Sequence, residues 1–419
     1  MAALPELPNV HKLSQYVTRI LGQNPSKYTL QGTNSYLVHH PSSPSLLLLD
    51  TTGPSSAAGF PAAAEQAYLS SLRSAILDHP TQPAHVTDIV LTHWHKDHVG
   101  ALRGVVEMLA ELHAKSAGEG VRVWKLPTTP GDAWAKEPGQ DEDIEALLAG
   151  SRAGAVAAAD DGQRVRALQP GQRFRFSPDE RLTPPSSSQD ADAVQLEVIH
   201  TPGHTSDSIC LTLSSASDLS SDIPASSSHS SSSAPCSPSS ILALFTADTI
   251  LGHGTAVFAS LASYLRSLSS LIDLLRSASA GSGGANEVPL YPGHGEVIPD
   301  GLKKVEEYKA HREERERQVV EALRAIGDGK SVRASDLTDQ IYGSTIPSSL
   351  KPAATHGLLL HLAKLHEEGQ VERIEADEVE ELAAEEAGGG EVAIPPGWND
   401  GWRWTGSVPS SSAQPDGRL

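Results

Sequence analysis

Four side chains that bind divalent metals fall within six positions of this chain: His93, His95, Asp97 and His98, in the stretch Thr92-His93-Trp94-His95-Lys96-Asp97-His98. The apolar run Ile89-Val90-Leu91 before it predicts a buried strand, and Gly100 after it opens a helical segment over Ala101 to Ala117. The four groups therefore sit on a strand-to-helix turn, where neighbouring side chains can converge. His93 and His95 share one side of an extended backbone. Asp97 and His98 follow the bend and can aim at a second point nearby. Imidazole and carboxylate are the ligands that Zn²⁺ takes in catalytic sites, and an indifferent polar loop is a poor account of His-x-His-x-Asp-His at a strand end.

The same pattern recurs along the chain. Ser45 to Thr51 is a strand apolar on both faces that ends in Asp50, a carboxylate able either to accept from the free ring N–H of a ligand histidine or to cap its own turn. Val194 to Ile199 runs into His200-Thr201-Pro202-Gly203-His204, Ile241 to Phe245 into Thr246-Ala247-Asp248, and Val288 to Tyr291 into Pro292-Gly293-His294-Gly295. The Pro-Gly pairs force tight turns that push His204 and His294 out of the strand ends, whereas His200 is still in strand register and is not counted as a ligand. His253, in a Gly-flanked loop, is either a substrate contact or a solvent-exposed loop residue. Amphipathic helices are expected over Ala62 to Leu77 and Leu261 to Ser277. Buried strands that end in His or Asp, with helices between them, predict an α/β sandwich whose strand ends form the site. His93, His95, Asp97, His98, His204, Asp248 and His294 are too many for one Zn²⁺, which holds about four ligands, and fit two metals.

Elsewhere the chain is less informative. The 419 residues suffice for two domains, expected at 1–300 and 301–406 with a disordered tail over 407–419. The formal net charge of −20, from 52 acidic and 32 basic residues, opposes a general affinity for nucleic acid. Two cysteines, Cys210 and Cys236, form no disulfide framework, and the N-terminus reads as neither a secretory nor a transit peptide. No apolar run reaches membrane-spanning length, so a soluble, cytoplasmic protein without a membrane partner is expected. Residues 127–165, 177–190 and the Ser-rich 214–240 read as flexible insertions, with Pro170-Gly171 turning between two short strands within Val165 to Phe176. In the C-terminal part, Gly301 to Ile326, Val332 to Tyr342 and Pro352 to Glu368 read as helices. The last of these carries Leu358, Leu359, Leu362 and Leu365 as a core stripe, with His356, His361 and His366 expected at the surface. Val371 to Ile374 and Trp402 to Thr405 can pair as a wing. Between them 375–391 carries eight carboxylates and no basic residue, a poor surface for phosphate.

The ordered set His93-Trp94-His95-Lys96-Asp97-His98, Thr-Pro-Gly-His204, Thr-Ala-Asp248 and Pro-Gly-His294-Gly resembles the metallo-β-lactamase fold superfamily across about Val17 to Pro299. The resemblance implies an αββα sandwich with two metals, taken as Zn²⁺ with Mn²⁺ and Fe²⁺ as alternatives, in the cleft between its sheets. It assigns His93, His95 and His204 to the first metal and Asp97, His98 and His294 to the second, with Asp248 bridging and Asp50 supporting. In hydrolytic members with this set, a hydroxide held between the metals attacks the substrate, and Asp97 and Asp248 are then the catalytic carboxylates.

The segment from Leu21 to Asn34 (LGQNPSKYTLQGTN) is similar to the N-terminal signature of two groups, the animal β-lactamase-like endoribonucleases and the fungal thioesterases that release polyketides from carrier proteins. Leu251 to Phe258 is closer to the fungal group, and Tyr308 to Glu316 resembles a helix that both groups place before a small winged-helix-like domain. The expected activity is hydrolysis of a thioester or ester, on a small-molecule or carrier-protein-bound acyl group in secondary metabolism. The alternative is single-strand RNA cleavage at the same metals, with Lys27, Lys96 and Arg103 as cations near the cleft and Lys27 and His253 as candidate substrate contacts.

Overall fold

The computed structural model describes residues 4–54, 59–113, 120–128, 140–178, 193–215, 241–281, 287–327, 329–343, 346–347, 350–374 and 401–405. The Ser-rich insertion beyond Ser215, most of 177–190, the acidic 375–391 and the tail 407–419 lie outside them, as does part of 127–165. Two compact units emerge, 1–259 with 266–308 and 260–265 with 309–419.

The first unit is built on two sheets. Strands β1 (Val10–Lys12), β2 (Val17–Leu21), β3 (Asn34–His39), β4 (Ser45–Leu49), β5 (His85–Leu91), β6 (Arg122–Lys125) and β7 (Val165–Ala167) lie side by side in chain order. The first four pair antiparallel, and β4 to β7 pair parallel. Parallel neighbours need a crossover, and helices α1 (Ala62–Leu77), α2 (Lys96–Val99) with α3 (Leu102–Leu112), and α4 (Gln140–Leu148) supply them. Tyr68, Leu72 and Ile76 of α1 and Leu102, Val105, Val106 and Leu109 of α3 pack on Ile20, Leu48, Ile89 and Val123 to close the outer face. β8 (Arg173–Phe176), β9 (Val194–His200), β10 (Ile209–Ser215), β11 (Ile241–Ala247) and β12 (Leu290–Pro292) form a five-stranded sheet of order β12-β11-β10-β9-β8. Its one parallel pair, β11 and β12, is joined by α5 (Leu261–Gly281). Between the sheets, Val17, Tyr36, Val38, Leu47, Leu49 and Val90 meet Leu196, Val198, Leu211, Leu213 and Phe245. This is the expected αββα sandwich. β4 reads as apolar on both faces because Leu46 and Leu48 face the helices while Leu47 and Leu49 face the second sheet.

The strands either side of Pro170-Gly171 part company. β7 extends the first sheet and β8 opens the second, so this turn, with Gly171 at φ +78°, carries the chain across the sandwich.

The second unit holds helix α6 (Gly301–Ile326) from Lys309 onward, β13 (Ser331–Arg333), α7 (Ala334–Tyr342), α8 (Lys351–Glu367), β14 (Val371–Ile374) and β15 (Gly401–Trp404). β15 lies between β14 and β13, antiparallel to both, so the expected wing forms. Val332 was expected to begin a helix; it belongs to β13 instead, opposite Trp402. Val319, Leu323, Leu337, Leu358, Leu362, Leu365, Trp402 and Trp404 make the core. His361 departs from the surface expectation: it is 2% exposed, facing Glu316, which also pairs with Lys364.

A buried histidine pair makes the first unit sensitive to acid. His79 Nε2 and His39 Nδ1 share one hydrogen bond at 3.0 Å, which needs a bare nitrogen on one ring and so cannot form with both rings charged. Burial, then the neighbouring His79, pushes His39 down to about 4, and burial also lowers His79. A depressed histidine contributes stability that is complete above its unfolded pKa of ~6.5 and is lost as pH falls toward the folded value. The loss for His39 is on the order of 3 kcal/mol. His39→Gln, which keeps an acceptor for His79, is expected to shrink the drop in urea-unfolding free energy between pH 7.5 and pH 5. An unaltered drop would show that the pair does not carry the acid sensitivity.

Candidate metal centre

β5 ends at Leu91, the chain bends at Thr92 and His93, and one helical turn, α2, begins behind His95. The His98 N–H donates to the His95 carbonyl at 2.9 Å, and this turn places Asp97 and His98 beside, not behind, His93. His204 follows Pro202-Gly203 at the end of β9, Asp248 follows β11, and His294 follows β12. Ala247 takes φ +44°, an uncommon conformation for a residue with a side chain, as the chain turns into Asp248.

All seven predicted ligands come together in two groups. His93, His95, His204 and Asp248 each offer a donor atom within 4.8 Å of the others, and Asp97, His98 and His294 do the same. In the first group His95 Nδ1 lies 3.0 Å from His93 Nε2 and 2.9 Å from His204 Nε2. In the second, His294 Nε2 lies 3.3 Å from His98 Nε2 and 3.2 Å from Asp97 Oδ2. Asp248 reaches both groups, with Oδ2 3.6 Å from His204 Nε2 and 3.3 Å from His294 Nε2, and Oδ1 3.3 Å from His98 Nε2.

The outward nitrogens fix what the inward ones can do. Asp50 accepts three hydrogen bonds, from the Thr92 N–H, the Thr92 hydroxyl and His98 Nδ1, at 2.7, 2.7 and 2.8 Å. The Thr92 hydroxyl, spent on Asp50, accepts from His93 Nδ1 at 3.0 Å, and the Val257 carbonyl accepts from His204 Nδ1 at 2.7 Å. Three histidines thus carry their proton on Nδ1 and turn a bare Nε2 lone pair inward. These three lone pairs and two carboxylates then converge, and Asp248 Oδ1 is buried without a hydrogen-bond partner. Such a cluster is stable only around positive charge. Nitrogen ligands ~2.1 Å from a tetrahedral ion lie ~3.4 Å apart, close to the spacings here, so the residues fit two divalent ions.

The electrostatics agree. Burial, reinforced by the neighbouring imidazoles, holds His93 well below the usual range and His95 at about 3. Burial also opposes charge on His98 and His294, but Asp248, with Asp97, overrides it and raises His98 strongly and His294 to about 9. The carboxylates demand cations, and protons and metal ions compete to supply them.

The resemblance-bearing segment near the N-terminus has a physical role here. Thr33 Oγ1 donates to the Asp97 carbonyl at 3.0 Å, and Asn34 Nδ2 donates to the Pro292 and Gly295 carbonyls at 3.0 and 2.9 Å. It thereby pins two ligand turns. Two supports, Lys125 and Tyr308, had no local signal in the sequence. Lys125, at the end of β6, pairs with Asp207 beside the His204 turn at 2.6 Å, both side chains almost fully buried. Tyr308 OH accepts from the Leu251 N–H at 3.1 Å. Gly293 has no room for a side chain, since a Cβ there would lie 2.3 Å from Asp248 Oδ1.

A cleft of about 330 Å³ opens on the ligands, lined also by Tyr28, Thr29, Pro54, Leu251, Ala256 and Val257. His253 is exposed and does not line it. Lys27 stands outside, with Nζ 4.7 Å from the centroid of the Tyr28 ring. Lys96 is exposed and Arg103 donates to the Gly150 carbonyl, and neither lines the cleft. His200, in β9, donates to the Ser206 carbonyl and is not in either group. No helix among the described residues is long and apolar enough to cross a membrane.

Comparison with known proteins agrees with this architecture. Residues 28–221 match the family described as the metallo-beta-lactamase superfamily, and residues 334–378 match the beta-lactamase associated winged helix domain. A beta-lactamase-like protein 2 homolog of Caenorhabditis elegans is 30% identical over 372 residues, 89% of this chain and 91% of that protein. An atrochrysone carboxyl ACP thioesterase of Passalora fulva is 27% identical over 375 residues, 88% of this chain and 81% of that protein. The crystal structure of a beta-lactamase domain protein from Burkholderia ambifaria shares the fold, with a TM-score of 0.54, 15% identity and coverage of 94% of this chain and 93% of that one.

Proposed function

We propose that this chain, which belongs to the metallo-beta-lactamase superfamily and is a metal-dependent hydrolase of that family, acts on acyl thioesters or esters. The observation that carries this reading is the cleft wall. Tyr28, Pro54, Leu251, Ala256 and Val257 surround the ligands, and among the described lining residues there is no Lys or Arg. A polynucleotide backbone needs cations beside the reacting phosphate, whereas an acyl group needs apolar surface. The 27% identity to a protein named as an acyl-carrier thioesterase supports the same direction, and with it a carrier-bound or small-molecule acyl substrate in secondary metabolism.

The imidazole-rich donor set suits Zn²⁺: His93, His95 and His204 would hold one ion and Asp97, His98 and His294 the other, with Asp248 within reach of both groups. Bound there, the ions supply Lewis-acid chemistry, polarising the substrate oxygen and making water acidic enough to react near neutral pH. The protein's own groups do the rest. Asp50, Thr92 and the Val257 carbonyl hold the ligand rings in register. Asp97, whose side chain is 18% exposed, reaches the cleft and is placed to orient water and hold its proton. The net change is balanced: water adds to the carbonyl carbon, the C–S or C–O bond breaks, and a carboxylic acid and a thiol or alcohol leave.

A paired assay tests the reading. Metal-loaded protein is offered acyl thioesters, on a carrier protein and on a small thiol, and separately single-stranded RNA, with chelated protein as control. Thioester hydrolysis that disappears on chelation is expected. Metal-dependent RNA cleavage with intact thioesters would replace it by the ribonuclease alternative.

A further inference from the structure

Two loops flank the metal ligands, and each is fastened to one of them. The first, 24–33, is tied by Thr33 Oγ1 to the carbonyl of Asp97 and closed by Asn24, whose Oδ1 accepts from the Thr33 N–H and whose Nδ2 donates to the Gly53 carbonyl. The second, 251–258, is tied through the Val257 carbonyl to His204 Nδ1, and Tyr308 OH donates to the Gly254 carbonyl at 3.0 Å. Each loop brings one large apolar side chain to the same cleft and leaves it in water: Tyr28 is 57% exposed and Val257 59%. Among the described residues four large apolar side chains are more than half exposed, Leu77, Leu350, Tyr28 and Val257, and two of the four line this one cleft. Beneath them Leu251 and Ala256 are buried and continue the apolar surface toward the metals.

Exposed apolar surface is ordinary when scattered, but two side chains from separately anchored loops lining one cleft with the metal ligands can act together as a clamp. We propose that Tyr28 and Val257 grip the acyl group and set its specificity, favouring a ring-sized apolar acyl group over acetyl. This deepens the thioester and ester reading above and rests on it. A flat aromatic acyl group can lie against the Tyr28 ring while Val257 covers its other side, and both side chains lose water only when such a group arrives. A small acyl group spans neither. Anchoring each loop to a ligand residue fixes the distance between grip and reacting carbonyl, so the clamp selects which acyl group is correctly placed for attack.

The test uses the full-length metal-loaded protein and two readouts. One is kcat/KM for acetyl and 2-naphthoyl thioesters of the same small thiol. The other is binding of 2-naphthoate itself, followed by its fluorescence, which needs no turnover. The protein is expected to favour naphthoyl over acetyl by at least tenfold. Tyr28→Ser and Val257→Ser are each expected to lower that ratio about tenfold, chiefly through KM for the naphthoyl substrate, and to weaken naphthoate binding by a similar factor. Tyr28→Phe, which keeps the ring, should retain the ratio. Both side chains are exposed, so the serine variants should fold, as unchanged thermal unfolding would verify. Thioester turnover with the same ratio in both serine variants would overturn the clamp and leave the hydrolase reading standing. Naphthoate binding that the variants weaken, in a protein that hydrolyses no thioester, would sustain the clamp and remove the thioester assignment. Absence of both turnover and binding would overturn the two together.

Discussion

Asp248→Asn is expected to lower hydrolysis by about 10³-fold or more, equivalent to ~4 kcal/mol of transition-state stabilisation, and to reduce the bound metal below two equivalents. The substitution keeps the shape of the side chain and removes its charge. Asp248 is the carboxylate that reaches both ligand groups, within 3.3 Å of His98 Nε2 and of His294 Nε2 and 3.6 Å of His204 Nε2. An amide in its place offers one oxygen and one NH₂. The NH₂ must face at least one of these imidazole lone pairs and would donate to it, occupying the electron pair that a metal needs. The loss of negative charge also removes the strongest attraction for cations at His294, the partner whose pKa Asp248 lifts to about 9. Elemental analysis of the purified variant, with kinetics at saturating metal, checks both halves. A variant with wild-type turnover and two metals would remove Asp248 from the centre.

The parts of this site legible in the sequence are those written in local turn chemistry. A Pro-Gly pair before His204 and before His294, and an apolar run before each ligand, are short-range signals that the fold obeys. What could not be read are agreements between distant positions. Lys125 and Asp207 stand 82 residues apart and become a buried ion pair only once the two sheets face each other. Asn34 looks like an ordinary turn residue until β3 brings it against the turn at 292–295. The strands around Pro170-Gly171 were legible as strands, but the pattern holds nothing about which sheet each joins, since that depends on pairing partners elsewhere in the chain. His361 was expected at the surface because His356, His361 and His366 lack the mutual spacing of ligands; the helix face it occupies, next to Leu358, Leu362 and Leu365, is the buried one. Except for His361, whose burial follows the spacing of its own helix, the missing quantity is a long-range partner, and only the metal ligands themselves, which must converge, allowed that convergence to be anticipated.

Asp50→Asn is expected to weaken metal binding by about 10- to 100-fold, most of it at the group formed by Asp97, His98 and His294, with the fold intact. Asp50 sits at φ +57°, a conformation that asparagine adopts as readily as aspartate, so the backbone does not object. The side chain does. Asp50 Oδ2 accepts from two donors, the Thr92 hydroxyl and His98 Nδ1, while Oδ1 accepts from the Thr92 N–H. The Thr92 N–H cannot be redirected, so the asparagine oxygen must stay with it and the NH₂ group falls where Oδ2 was. It then meets two donors with a third. His98 can resolve the conflict only by giving up the Nδ1 proton and carrying it on Nε2, which turns an N–H toward Asp248, His294 and the second metal position. The Thr92 hydroxyl, released from Asp50, no longer has to accept from His93 Nδ1, so the first group is disturbed less and indirectly. The expected signature is a split titration, one metal held nearly as before and the other weakened, with activity recovered in part by excess metal. Competition with a chromophoric chelator measures the two affinities. Equal weakening of both sites, or none, would show that Asp50 supports the turn as a whole and does not set the tautomer of His98.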